Sequence, residues 1–131
     1  MAGGEASPAN PLKEGIVLFA HGARDPEGSR AFERIAASLA EKLPAVSVGL
    51  AYLESGPSLD EVLAALVAKG AASIRVVPLF LGQGGHVKED LPRLVKSAAA
   101  AQGGVMVMLE KPIGEQPKVV EAIAAAIAAG R

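Results

Sequence analysis

The sequence predicts an α/β fold, a four-stranded parallel sheet with helices on both faces. Three observations carry that expectation. Short, continuous apolar runs alternate with longer segments of helical period, in the order βαβαβαβα. Ile16–Ala20 is apolar throughout, as expected for a strand covered on both sides. Parallel neighbours need crossover connections, and right-handed crossovers distribute the helices over both faces. If the strand order is 2-1-3-4, strands 1 and 3 are neighbours and His21 and His86 flank each other.

Residues 1–14 are rich in Gly, Ala, Pro and Asn and show no period. They are expected to form a mobile tail, with one domain over 15–131. Ile16–Ala20 is the first strand. Gly28-Ser29 precedes a helix that carries Phe32, Ile35, Ala36, Leu39 and Leu43 on one face, and Pro44 stops it. Val46–Leu53 is the second strand. Ser58 and Glu61 have the spacing of a capping box. Behind them Leu59, Val62, Leu63, Leu66 and Val67 form an apolar stripe, which Gly70 closes. Ile74–Leu81 is the third strand. Pro92 is tolerated best in a first turn, so the next helix is expected to begin at about Asp90 or slightly earlier. Leu91, Leu94, Val95 and Ala98 face inward, and Gly103-Gly104 ends it. Val105–Leu109 is the fourth strand. Glu115–Ala129 is the last helix, with Val119, Val120, Ile123 and Ile127 spaced for burial.

Composition narrows the function classes. A chain of 131 residues is the size of one domain, and half of it is apolar with only 3 % aromatic, so the core is aliphatic. The net charge of −1 has no basic footprint for nucleic acid. There is no cysteine, which excludes disulfides and thiolate metal sites. No run reaches the roughly 18 apolar residues of a membrane span. The first residues lack the pattern of a signal peptide, so a cytoplasmic protein is expected.

The chemistry-bearing residues gather at strand ends. In a doubly wound sheet ligands bind beyond the carboxyl ends of the strands. His21 and His86 are the only two histidines. Each follows a strand, and Glu54 follows another. Two imidazoles and a carboxylate suit a borderline divalent ion such as Co²⁺, Ni²⁺, Fe²⁺ or Zn²⁺. The other reading is three separate, solvated loop residues. Gly82, Gly84 and Gly85 fit close approach of the backbone to a large flat ligand, with positive φ where needed. A phosphate cradle is the weaker reading, because Gly82-Gln83-Gly84-Gly85 lacks the Lys-Ser/Thr of a P-loop and follows the third strand. Arg24, Arg30, Lys88 and Arg93 lie near the same rim. Singly they are solvated charges, and together they suit the carboxylates of an anionic ligand. Asp25 reads as an Asp-Pro turn residue or as a partner of His21 or Arg24, and Ser29 as a cap.

Three stretches together are similar to a known family. They are Phe19-Ala-His21-Gly-Ala23-Arg24-Asp25-Pro26, Ala51-Tyr-Leu-Glu54-Ser-Gly-Pro57-Ser-Leu59, and Val77-Pro-Leu-Phe-Leu-Gly-Gln-Gly-Gly-His86-Val-Lys88-Glu-Asp90-Leu-Pro92. They resemble the CbiX/SirB family of sirohydrochlorin chelatases, most of all its short, single-domain CbiX form. The resemblance runs from Gly15 onward and includes Lys111-Pro-Ile-Gly114. One departure is Ala23, where the family commonly has Ser. The resemblance implies a chelatase-like, flavodoxin-like single domain. It implies insertion of a divalent metal, cobalt first and iron or nickel next, into sirohydrochlorin on the way to cobalamin- or siroheme-type tetrapyrroles. The metal is then a substrate, with no permanently bound cofactor. Larger relatives form the pocket between two such domains, so a homodimer is implied here. By motif, His21, Glu54 and His86 face the metal, and His21 and His86 are catalytic. Arg24, Gly84, Gly85 and Lys88 would meet the tetrapyrrole. A non-catalytic tetrapyrrole or metal carrier is the alternative, and it would need no proton acceptor. A nucleotide-binding module is disfavoured, because Ala20-His-Gly-Ala-Arg lacks phosphate-loop chemistry.

Overall fold

The computed structural model describes residues 13–22, 25–82 and 84–130, and for His86 the backbone alone. The elements are β1 (Glu14–Ala20), α1 (Pro26–Lys42), β2 (Ser47–Tyr52), α2 (Leu59–Ala68), β3 (Ser73–Pro78), α3 (Gly85–Ala100), β4 (Met106–Leu109), a 3-10 turn (Ile113–Glu115) and α4 (Pro117–Ala129). All strand pairs are parallel, as expected, and the sheet order is β2-β1-β3-β4, which makes β1 and β3 neighbours. No described helix is long and apolar enough to cross a membrane.

The register divides the strand residues between two faces. Val17, Phe19, Ala51, Ile74 and Val76 point to one face, where α2 brings Leu59, Val62, Leu63 and Leu66, and α3 brings Leu91, Val95 and Ala98. Ile16, Leu18 and Val77 point to the other, where Ala36 and Leu39 of α1 meet them. This split is what right-handed crossovers require. The step from β1 to β2 runs in one direction and the later steps run in the opposite one, so α1 lies apart from α2 and α3.

Several boundaries differ from expectation. β1 starts at Glu14, which pairs with Ser73, and the Lys13 carbonyl accepts from the N–H of Ala72 at 2.9 Å. A charged, exposed start hides a strand from any reading based on apolar runs. Residues 1–12, the rest of the expected tail, lie outside the described residues. α1 begins at Pro26, because the Asp25 carboxylate accepts from the Gly28 N–H at 2.7 Å and is the N-cap. Ser29 is inside the first turn instead, its hydroxyl donating to the Pro26 carbonyl. The capping box of α2 forms as expected: the Glu61 N–H reaches Ser58 Oγ at 3.2 Å, and the Ser58 N–H reaches the Glu61 carboxylate at 2.8 Å. β3 ends at Pro78, three residues before the expected Leu81, where its ladder to β1 stops at the Phe19–Pro78 pair; its ladder to β4 has already stopped at Val76 and Leu109.

Two differences are larger. α3 begins at Gly85, so Pro92 sits in its interior. Proline there leaves the Lys88 carbonyl without its helical partner. Lys88 and Pro92 are both exposed, so this stretch of the helix is open to solvent. α4 forms over nearly the expected span, with Pro117 in its first turn, but none of its residues is buried. Its packing within the chain is chiefly against the 3-10 turn.

Candidate functional site

The ladder between β1 and β2 continues past the end of both strands. The Leu53 N–H donates to the Ala20 carbonyl, and the Glu54 N–H donates to the His21 carbonyl, both at 2.9 Å. The two side chains that follow the strands are thereby held abreast. His21 Nε2 lies 3.6 Å from Glu54 Oε2. Gly22 permits this approach, since a Cβ there would stand 3.3 Å from the Glu54 Cβ. Both side chains are more than half exposed. The pair faces solvent and is free to accept an incoming ligand; a screened contact of this kind adds little to stability.

His21 stands on the ridge between two concavities. One, of about 260 Å³, is lined by His21, Leu53, Glu54, Val87, Asp90 and Leu94, with Leu91 at its base. The other, of about 500 Å³, is lined by His21, Phe80, Leu81, Gly82, Gly84 and Val87. The Phe80 ring meets the imidazole edge to face at 6.4 Å. An imidazole and a carboxylate thus stand between apolar walls at the carboxyl edge of the sheet, the position that α/β sheets use for ligands.

The bend after β3 has its own brace. The Gly114 N–H donates to the Phe80 carbonyl at 2.9 Å. A Cβ on Gly114 would collide with the backbone of Leu81. The 3-10 turn is therefore packed directly against the segment that carries Phe80 and Leu81, and only glycine fits between them.

Each expected site residue has a place. His21 and Glu54 are brought together. His86 is the second residue of α3, next in the chain to Val87, which lines both concavities; its side chain lies outside the described residues, as does the whole of Arg24. Gly84 is the N-cap of α3 and lines the second concavity; Gly85 is the first helical residue, and both are exposed. None of Gly82, Gly84 and Gly85 has a positive φ; among the described residues only Gly70 and Gly103 do. A Cβ at any of the three would enter open space, so their missing side chains leave room above the bend. Lys88 is exposed on the first turn of α3, and its N–H donates to the Gly84 carbonyl. Arg93 is committed to Asp90, with Nη2 to Oδ1 at 2.6 Å. Among the described residues there is no group of three or more acidic or histidine side chains able to hold a metal ion. Asp90 and Leu94 are wall residues that were not assigned to the site from the sequence; Leu94 was expected to face inward, yet it is 42 % exposed and lines the hollow.

A four-stranded parallel sheet with a histidine–carboxylate pair over apolar hollows at its carboxyl edge defines an α/β ligand-binding domain of the chelatase class. The CbiX family model matches residues 15–129, and the chain belongs to that family. It is 29 % identical over 120 residues to a sirohydrochlorin cobaltochelatase of Methanococcoides burtonii, covering 85 % of this chain and 92 % of that one. It is 33 % identical over 116 residues to a sirohydrochlorin cobaltochelatase of Saccharolobus islandicus, covering 83 % and 89 %. Among solved structures, a CbiX protein from Marinobacter aquaeolei VT8 superposes with a TM-score of 0.79 at 32 % identity, covering 89 % of this chain and 96 % of that one. The sirohydrochlorin chelatase SirB of Bacillus subtilis subspecies spizizenii, solved with cobalt, gives a TM-score of 0.77 at 27 % identity. It is matched over 89 % of this chain but 50 % of its own.

Proposed function

We propose that this protein is a sirohydrochlorin chelatase that inserts a divalent metal, cobalt in preference to iron or nickel, into the tetrapyrrole. The observation that carries the reading is the His21–Glu54 pair, 3.6 Å apart and open to solvent, between two apolar-walled hollows. The relatives named sirohydrochlorin cobaltochelatase support the substrate and the metal. SirB structures with cobalt and with Fe³⁺ support a site that takes a transition-metal ion.

Insertion exchanges one divalent ion for two pyrrole N–H protons. The site must hold the ion weakly enough to release it and must take up the protons. Neutral imidazole suits both tasks near neutral pH. In this reading His21 and His86 deliver the metal and one of them accepts a proton. Glu54 completes the ligand set or passes protons to solvent, to which its carboxylate is exposed. Phe80, Leu81 and Val87 lie against the macrocycle, and the open space above Gly84 and Gly85 admits it. Arg24 and Lys88 meet its carboxylates. The metal is a substrate and no cofactor stays bound. Two copies complete the cleft, as a homodimer in the cytoplasm.

The visible spectrum of sirohydrochlorin with excess Co²⁺, with and without catalytic protein, tests this reading. Many turnovers above the spontaneous rate are expected, with Fe²⁺ and Ni²⁺ slower. His21→Ala should remain folded and lose about 100-fold or more of the rate. A spectral change that stops at one equivalent would instead mark a carrier. No change with any of the three ions would overturn the substrate assignment.

A further inference from the structure

One half of one sheet face is left bare. On the face of Ile16, Leu18 and Val77, α1 packs over β2. Over β3 and β4 nothing equivalent is in place among the described residues. Met106 and Met108 are 55 % and 52 % exposed, and Arg75, which pairs in register with Met108, is also exposed. Ile35 and Leu39 line a hollow of about 490 Å³ along α1, and Leu39 also packs on the sheet, so the hollow borders the bare half-face.

The helix that chain order offers for this place does not take it. Every residue of 121–130 is exposed. Val120, Ile123 and Ile127 follow one another at helical spacing and are 54 %, 41 % and 69 % exposed. The only charged residues of α4 are Lys118 and Glu121. A helix of 13 residues, about 20 Å long, with so apolar a surface does not stand alone in water.

We propose that two copies of this chain exchange α4, each laying its Val120–Ile123–Ile127 stripe on the Met106–Met108 half-face of the other beside α1. The occupant is a second copy because the chain carries both halves of the contact, a stripe without a sheet and a sheet without a stripe. A two-fold axis satisfies both with one partner and leaves no open end. This chain spans 50 % of the SirB structure and 49 % of a CbiX structure from siroheme biosynthesis in denitrifying bacteria, in keeping with the family resemblance, by which larger relatives carry two such domains. Methionine and arginine are residues favoured at such interfaces. The exchange bears on the site as well. α4 leaves directly from the 3-10 turn, whose Gly114 holds the Phe80 carbonyl and whose Ile113 packs beside Val77 and Leu79. Docking α4 on a partner anchors the turn that braces the bend after β3. The inference rests on the two-copy reading of the site and names its surface.

The chain has no cysteine, so paired labels give a clean test. Ile123→Cys and Met108→Cys proteins are prepared separately, mixed to allow subunit exchange and treated with a short bis-maleimide. Covalent dimer is expected in the mixture and not from either protein alone. Sedimentation at roughly 10 μM should show a dimer for the parent chain. Ile123→Lys/Ile127→Lys should be a monomer with unchanged helical and strand signal in circular dichroism, its dissociation constant raised about 100-fold or more. A dimer that survives Ile123→Lys/Ile127→Lys, or self-linking of Ile123→Cys as strong as the mixed product, overturns the exchange and leaves the two-copy reading standing. A parent chain that is monomeric overturns both. A monomer in which deletion of residues 1–12 uncovers Met108→Cys to maleimide would assign the half-face to that segment and also overturn the proposal.

Discussion

The two faces of this sheet are made of similar residues and finished differently. On the face of Phe19 and Ile74, α2 and α3 bury seven side chains between them, Leu59, Val62, Leu63, Leu66, Leu91, Val95 and Ala98. On the face of Leu18 and Val77, α1 and α4 bury none completely. α2 and α3 are crossovers held at each end by a strand, and their apolar stripes are forced onto the sheet. α4 packs chiefly against the 3-10 turn before it, and none of its residues is buried. The site draws on the closed face. Val87, Leu91 and Leu94 of α3 wall the hollow beside Glu54, so the rim that holds the functional pair stands on the better-packed half of the molecule.

The largest effect should separate the faces outright. Phe19→Ala empties a fully buried position and should cost about 3–5 kcal/mol in denaturant unfolding. Ile127→Ala should cost within about 0.5 kcal/mol of the chain's own stability, as at other exposed positions. Equal costs would erase the contrast. Next comes the brace. Gly114→Ala should push Leu81 away and slow metal insertion about tenfold, near 1.4 kcal/mol of barrier, with the unfolding midpoint nearly kept; an unchanged initial rate would detach the 3-10 turn from the site. Smaller still, Ser58→Ala on the closed face should lose about 1 kcal/mol and Asp25→Ala on the open face about half that, read from thermal melts of the two variants side by side.

The smallest effect concerns Tyr52, which is buried against Phe32 on the open face. Its hydroxyl has no hydrogen-bond partner among the described residues. Burial, and then the negative charge of Glu33, push its pKa above the ordinary value. The folded state therefore holds the proton more tightly than the unfolded chain. Stability is intact below a pH of about 10 and falls as pH rises through the folded-state value. Tyr52→Phe should change stability by under about 0.5 kcal/mol at neutral pH and flatten the alkaline fall. Melts at both ends of that range would check it, and an unaltered alkaline limb would show that ionisation of Tyr52 does not set it.

Much of this architecture was legible in the chain. Apolar runs at crossover spacing specify a parallel sheet, and handedness fixes which face each crossover helix covers once the strand order is known. Ser58 and Glu61 announce α2 because a capping box is a local device whose partners lie three residues apart. His21 and Glu54 could be assigned to one edge because both follow strands. The start of α3 was not legible, because the cost of an interior proline depends on whether its surroundings are open to solvent, and Lys88 and Pro92 are both exposed. The glycines of the bend were read as backbone devices, yet their φ values are ordinary and their use is the space they leave.

What the sequence alone determined is therefore local and periodic: which residues form each element, which side chains share a stripe, and which motifs place the chain in its family. The tertiary structure decided two further things. It set His21 and Glu54 at 3.6 Å, because ladder bonds continue beyond the strands they belong to. It also left the stripe of α4 without a sheet, because periodicity states which side chains look the same way and is silent on what they meet.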